Sequence, residues 1–122
     1  MKFYRFDAAV ARPITQFGSV GAAIAPVARP GPGAVQLGCM HLAAGGRIGR
    51  HPASGAQLFL VVAGAGWVAG ADGARVPLNA GEAAFWEPGE DHESGTERGM
   101  TALVLEADEM DPAALMPEVV RP

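Results

Sequence analysis

The sequence contains a single cysteine, Cys39, so it has no partner for an intramolecular disulfide. Its cysteine usage therefore gives no sign of an oxidising compartment. The sequence also lacks an excess of basic residues, because nine Lys and Arg stand against thirteen Asp and Glu and the formal net charge is −4. This balance offers no electrostatic footprint for nucleic acid, and we expect no nucleic-acid partner.

Long hydrophobic runs are absent as well. Residues 52–71 carry no charge, but proline, glycine and polar residues interrupt them and leave only Leu58–Ala63 as an apolar run. A membrane-spanning helix needs about 20 such residues. The first seven residues include Lys2, Arg5 and Asp7 and form no apolar core of the kind found in a signal peptide. The sequence predicts a soluble, cytoplasmic protein that does not enter the membrane.

The charges that are present are distributed unevenly along the chain. Residues 1–71 hold six basic residues and one acidic residue, whereas residues 72–122 hold three basic and twelve acidic residues. In one compact domain the two halves interleave, so we expect much of this asymmetry to be neutralised by pairing between strands.

The composition favours an all-β fold. Seventeen glycines and ten prolines punctuate 122 residues, 49% of which are hydrophobic, and no long stretch of strong helix formers occurs. The length fits one domain over residues 1–122. Asp72-Gly73 predicts a hairpin turn between two strands, and Ala83–Trp86 and Met100–Ala107 are further predicted strands. Near the end of the chain, Asp111 followed by Pro112 predicts a short helical turn.

Two glycine clusters are predicted to end strands. A strand over Ala34–Ala43 is expected to stop at Gly45-Gly46, and a strand over Gln57–Ala63 is followed by the glycine-rich stretch Gly64–Gly70. That stretch is similar to a dinucleotide-binding fingerprint, but Asp72-Gly73 leaves no room for the helix that such a site requires. We therefore predict a turn there and no nucleotide cofactor.

The strand Gln57–Ala63 is apolar on both faces. Phe59 and Val61 lie on one face, and Leu58, Leu60 and Val62 lie on the other. A strand with one wet face would alternate between apolar and polar residues. One face is thus expected to line the protein interior, and the other to be covered by a second sheet or a partner subunit.

Two blocks of sequence resemble the paired motifs of the cupin family. The first, GGRIGRHPASGAQLFLVVAG, contains His51 and Gln57, and the second, GEAAFWEPGEDHESG, contains His92. Sixteen residues separate them, enough for one hairpin, and the resemblance covers about residues 34–107. It implies a cupin-like double-sheet β-barrel of the jelly-roll type, with a site inside the barrel mouth and often a homodimeric assembly.

The resemblance also implies a metal site that this sequence supplies only in part. The family's metal ligands correspond to His51, His92 and Gln57, but a neutral amide stands where the family has glutamate, and Ala53 occupies the position of a further histidine. If His41 points inward it would add a third imidazole, and the set would suit zinc, iron, nickel or copper. If it points outward, it is a partly buried surface residue.

Three functions remain open at this point. The resemblance implies a metal-dependent enzyme of dioxygenase, isomerase, cyclase or lyase type, in which a nearby glutamate acts as general base. Alternatively, the barrel is a metal-free binding or sensing module whose histidines orient a ligand by hydrogen bonds. A third possibility is a structural dimer with a decayed site. In the first two cases Phe59, Val61 and Trp86 are the expected lining of a pocket for a small molecule.

Overall fold

Antiparallel β-strands dominate the computed structural model, which describes residues 1, 4–5, 7–28 and 35–120. The strands are, in chain order, β1 (Arg12–Pro13), β2 (Val20–Ala28), β3 (Gln36–Pro52), β4 (Ala56–Ala69), β5 (Arg75–Asn79), β6 (Ala83–Trp86), β7 (Asp91–Gly95) and β8 (Met100–Ala107). The prediction of an all-β, cupin-like barrel is confirmed.

Two long strands, β3 and β4, join the sheets into a barrel. The first half of β3 pairs with β2 and β8, and its second half pairs with β7. The first half of β4 pairs with β6 and β8, and its second half pairs with β5 and β7. Strands β3, β8, β4 and β7 thus form a closed ring of hydrogen-bonded neighbours, which leaves an interior between the sheets.

The two glycine clusters bend these strands and do not end them, so the predicted boundaries were wrong. Strand β3 continues through Gly45-Gly46, and β4 continues through Gly64 to Ala69. Gly45 and Gly64 adopt positive φ values of 77° and 74°, and the strand registers shift close to both positions. A glycine with positive φ forms a bulge as readily as a turn, and here the bulge turns each strand from one sheet into the other.

The inner and outer faces of β4 differ in burial. Phe59 and Val61 point into the core and are 1% and 2% exposed, packed with residues of β3 and β8 such as Val104. On the outer face Leu58 is buried, but Val62 is 52% exposed. The interior face is therefore as predicted, whereas the outer face is only partly covered by the described chain.

Helical structure is confined to single turns in the described residues: Ala8–Val10, Gln16–Gly18 and Pro112–Ala114, all of the 3-10 type. The predicted C-terminal turn is present, but the side chain of Asp111 forms no capping hydrogen bond. None of these turns has the length or apolar character needed to traverse a lipid bilayer.

Candidate functional site

Two histidines meet inside one end of the barrel. His51 near the end of β3 and His92 on β7 are direct cross-strand partners, and their ring centroids are 4.4 Å apart. His92 is buried and His51 is half-buried. Both line a cavity of about 230 Å³ between the sheets. The structure thus brings together the two imidazoles that the sequence motifs singled out.

Gln57 lies on the same cavity. It belongs to β4, is 7% exposed, and is flanked by Trp86 of β6 and Glu106 of β8 as its cross-strand partners. Residues 57 and 59 face inward together because strand residues two apart share a face. The amide of Gln57 and both imidazoles therefore face a common space.

Backbone carbonyls fix the tautomer of both histidines. Nδ1 of His51 lies 2.7 Å from the carbonyl oxygen of Gly49, and Nδ1 of His92 lies 3.2 Å from that of Glu90. A carbonyl oxygen only accepts hydrogen bonds, so each Nδ1 donates and the neutral ring carries its lone pair on Nε2. The same arrangement orients the histidines of metal sites.

The surroundings of His92 favour its neutral form. Burial lowers the pKa of His92 below the usual value of 6.5, and the proximity of His51 lowers it further. The backbone bond to Glu90 and the negative charges of Glu90 and Asp91 act in the opposite direction without cancelling the effect of burial. At neutral pH His92 is therefore available as a hydrogen-bond acceptor or a metal ligand.

Acidification should destabilise the protein through His92. Because its pKa is lower in the folded chain than in the unfolded one, the unfolded chain binds more protons below about pH 6.5, and the free energy of unfolding falls as the pH drops below that value. Each pH unit in this window costs up to about 1.4 kcal/mol. Urea unfolding at pH 7.5 and pH 5 measures the effect. The loss of unfolding free energy between the two pH values should be much smaller in the His92→Gln variant and unchanged in His41→Gln. An equal loss in both variants would contradict the assignment to His92.

Aromatic rings form a continuous stack across the cavity. Phe17 lies parallel to His51 with centroids 4.0 Å apart, His92 stacks on Trp86 at 4.4 Å, and Trp86 meets Phe59 edge to face at 5.9 Å. Phe59 and Trp86, both predicted pocket residues, line the cavity. One face of each imidazole is thus covered by an aromatic ring.

The segment Gln16–Gly18 places Phe17 over His51, and sequence reasoning missed it. Phe17 is the one described non-glycine residue with positive φ, at 62°. Its backbone carbonyl packs directly against Gly49, where a Cβ atom would overlap it, and Ser19 Oγ accepts a hydrogen bond from the Gly49 amide. Only glycine at position 49 permits this close approach.

Glu106 is a second cavity residue that sequence reasoning missed. It lies on β8, in line with the buried Met100, Ala102 and Val104 at intervals of two residues, and it borders the same cavity as His51 and His92. The alternation within Met100–Ala107 was the signal that could have identified it. The glutamates near His92 in the sequence, Glu87, Glu90 and Glu93, do not line this cavity.

His41 does not join the two imidazoles. Its neighbours Met40 and Leu42 are buried in the core, so His41 lies on the opposite face of β3, where it borders a separate surface cavity. Val61 is part of the core and does not line the cavity of His51 and His92. Ala53, at the position of a further family histidine, is buried in the core as well.

The donor set is small for a metal centre. Within the described ranges, no three His, Cys, Asp or Glu side chains are grouped closely enough to hold a metal ion. Two imidazoles with free Nε2 lone pairs and the amide of Gln57 remain, and imidazole nitrogen suits zinc, copper, iron and nickel. This set fits a loosely held transition metal and not a tightly bound one.

Comparisons with known proteins agree on the architecture. A family model described as Cupin domain matches residues 38–106. The polyketide cyclase RemF from Streptomyces resistomycificus is similar in structure, with a TM-score of 0.75 and 21% identity over 92% of this chain and 82% of that one. A predicted oxalate decarboxylase from Thermotoga maritima is also similar, with a TM-score of 0.72 and 20% identity over 85% of this chain and 98% of that one. No curated protein matches the chain. At such identities the structural likeness establishes a shared fold.

Proposed function

Because the chain belongs to the cupin family, we propose that it is a metal-dependent enzyme acting on a small organic molecule, with His51, His92 and Gln57 as the metal-holding side chains. The observation that carries this proposal is the cross-strand pair of imidazoles, each anchored through Nδ1 to a backbone carbonyl. Anchoring of this kind presents two Nε2 lone pairs at the cavity without further rearrangement.

The chemistry of the donors sets what the metal would supply. Two imidazole nitrogens and one amide oxygen would leave coordination positions for solvent or substrate, as in catalytic sites with an open position. A bound divalent ion would act there as a Lewis acid that polarises an oxygen of the substrate. Because Gln57 contributes no negative charge, we expect the ion to exchange readily.

Glu106 is the residue we assign to proton transfer. Its carboxylate borders the cavity beside Gln57, and it is the one acidic side chain among the described residues that line the cavity. A carboxylate that borders the same cavity as the two imidazoles is placed to accept a proton from a substrate held there, which is the role of a general base. This favours isomerase, cyclase or lyase chemistry, in which a proton is removed from the substrate. The volume of about 230 Å³ restricts that substrate to a small molecule.

Metal titration of tag-free protein tests the proposal. Calorimetric titration with Zn²⁺ or Ni²⁺ should show one site per chain, and His51→Ala and His92→Ala should each weaken binding at least about tenfold, since each removes one nitrogen ligand. His41→Ala is the matched control and should bind as the wild type does, because His41 faces a different cavity. Equal losses in all three variants, or no binding by the wild type, would refute metal dependence.

A metal-free binding module is the second candidate. It is supported by the neutral amide at position 57 and by the small donor set among the described residues. In that case His51, Gln57 and His92 orient a ligand by hydrogen bonds. Thermal stabilisation by a small molecule in metal-free buffer, lost in His51→Ala, would favour this candidate over the enzyme. A structural dimer with a decayed site would show neither response.

The homodimer expected from the family resemblance stays a prediction. The outer face of β4 supports it, since Leu60 and its cross-strand partner Leu103 of β8 are half-buried and Val62 is 52% exposed. A second copy packed there would cover these apolar side chains.

A further inference from the structure

Among the described residues, ion pairing between strands neutralises little of the uneven charge, although the sequence predicted such pairing. Among the described residues there are two ion pairs, Arg5 with Asp7 and Arg50 with Asp91, and only the second joins two strands. Besides Arg12, three other arginines have no carboxylate within ion-pair distance in the described part of the chain: Arg47, Arg75 and Arg98. Their positive charge is therefore available to attract an anionic ligand.

These three arginines line one groove. It lies between the bend of β3, the second half of β4, β5 and the loop that follows β7, and it encloses about 940 Å³. Glu97 is the one acidic residue among the described residues that line it. The groove shares no lining residue with the cavity of His51 and His92. It is thus a separate feature of the surface.

Hydrogen bonds hold the loop that carries Arg98 in a defined place. The buried hydroxyl of Thr96 donates to the carbonyl oxygen of Ala65 at 2.7 Å and accepts from the amide of Gly99 at 3.0 Å. The Thr96 amide donates to Gly46, and the Gly45 amide donates to Glu97. The loop is therefore tied to both β3 and β4, next to Arg47.

Trp67 positions the guanidinium of Arg75. The guanidinium carbon lies 3.7 Å from the centroid of the indole ring, a cation–π contact. The indole packs directly on Gly95, where a Cβ atom would overlap the ring. Stacking fixes the location of Arg75 without neutralising its charge, because an aromatic ring supplies no carboxylate.

We propose that this arginine groove binds the dianionic phosphate group of a small molecule. Three arginines and one glutamate give the groove a net charge of +2, which matches a phosphate monoester of charge −1.5 to −2 near pH 7. The planar guanidinium offers paired N–H donors that suit phosphate oxygens. The chain as a whole carries −4, which disfavours long polyanions and favours a compact dianion.

Titration of the ¹⁵N-labelled protein with inorganic phosphate tests the site. The indole N–H signal of Trp67 should move in a saturable way, whereas that of Trp86, in the other cavity, should not. Arg47→Gln, Arg75→Gln and Arg98→Gln should each weaken binding about tenfold, the typical effect of losing a hydrogen bond to a charged group. Exposed Arg12 lies outside the groove, so Arg12→Gln is the matched control and should bind normally.

Two further measurements separate specific recognition from general attraction. Arg98→Lys keeps the positive charge but loses the planar pair of N–H donors, so it should also weaken phosphate binding. Wild-type affinity in this variant would show that the groove attracts phosphate only through its charge, and would overturn the proposal. Glycerol 3-phosphate should bind at least as tightly as inorganic phosphate, and acetate much more weakly. The proposal would also be overturned if glycerol 3-phosphate bound more weakly than inorganic phosphate. The same holds if the shift of the Trp67 indole N–H signal persisted in the three glutamine variants. Thermal melting of each variant confirms that it is folded.

Discussion

The Gln57→Glu variant should bind a divalent transition metal about 10- to 100-fold more tightly than the wild type and should unfold more easily in its absence. The new carboxylate would lie in the cavity with His51 and His92 and add a negative charge to a neutral donor set. At a separation of a few ångströms, the attraction between this carboxylate and a divalent ion amounts to several kcal/mol, and part of it offsets the cost of removing both charges from water. Without metal, the same carboxylate stands directly opposite Glu106, and like charges in opposed positions are destabilising.

Calorimetric titration with Zn²⁺ and thermal melting with and without metal measure both effects. The side chains of glutamine and glutamate have nearly the same shape, so packing is preserved. Gln36→Glu is the control, because Gln36 is also a cross-strand partner of Glu106 but is exposed and does not line the cavity. It should leave metal affinity unchanged. A Gln57→Glu variant with wild-type affinity would show that position 57 does not contribute to metal binding.

The Gly49→Ala variant should lose about 1–3 kcal/mol of unfolding free energy, the usual cost of overfilling a tightly packed position. The added methyl group would overlap the backbone carbonyl of Phe17, which has no rotamer by which to move aside. The segment Gln16–Gly18 would be pushed away, and the ring of Phe17 would separate from His51.

Chemical unfolding gives the change in stability, and the ring-proton shifts of His51 report the loss of stacking. Phe17→Ala provides the comparison, since it removes the ring but leaves the backbone contact with Gly49 in place. Phe17 is 51% exposed, so this variant should lose less stability while changing the His51 signals to a similar extent. Unchanged stability and His51 shifts in Gly49→Ala would mean that the contact is not formed in solution.

Most strands were predictable because turn chemistry is local. Asp72-Gly73 forms the expected hairpin, with Ala69 paired to Arg75, and β8 has the predicted bounds. Gly45 and Gly64 were misinterpreted because glycine at positive φ serves a turn and a bulge equally well. Whether a turn or a bulge forms at such a glycine is determined by the pairing of strands that are distant in the sequence.

The orientation of His41 could not be predicted for a related reason. Cys39 and Met40, on opposite faces of β3, are 1% and 7% exposed, so both faces are buried at this point and alternation gives no direction. By contrast, the motifs that resemble the cupin family predicted that His51, His92 and Gln57 converge, and the structure brings them to one cavity. Phe17 could not be found, because its contact with His51 joins an irregular segment to a distant strand and follows no periodic pattern.

The placement of the two tryptophans gives the protein a pair of separate optical reporters. Trp86 is 3% exposed and stacked on His92, whereas Trp67 lies partly in solvent beneath Arg75. Indole fluorescence shifts to shorter wavelength when the ring is shielded from water. The emission spectrum should therefore contain a blue component from Trp86 in the barrel interior and a red component from Trp67 at the outer surface, so that events at either place can be followed without an added dye.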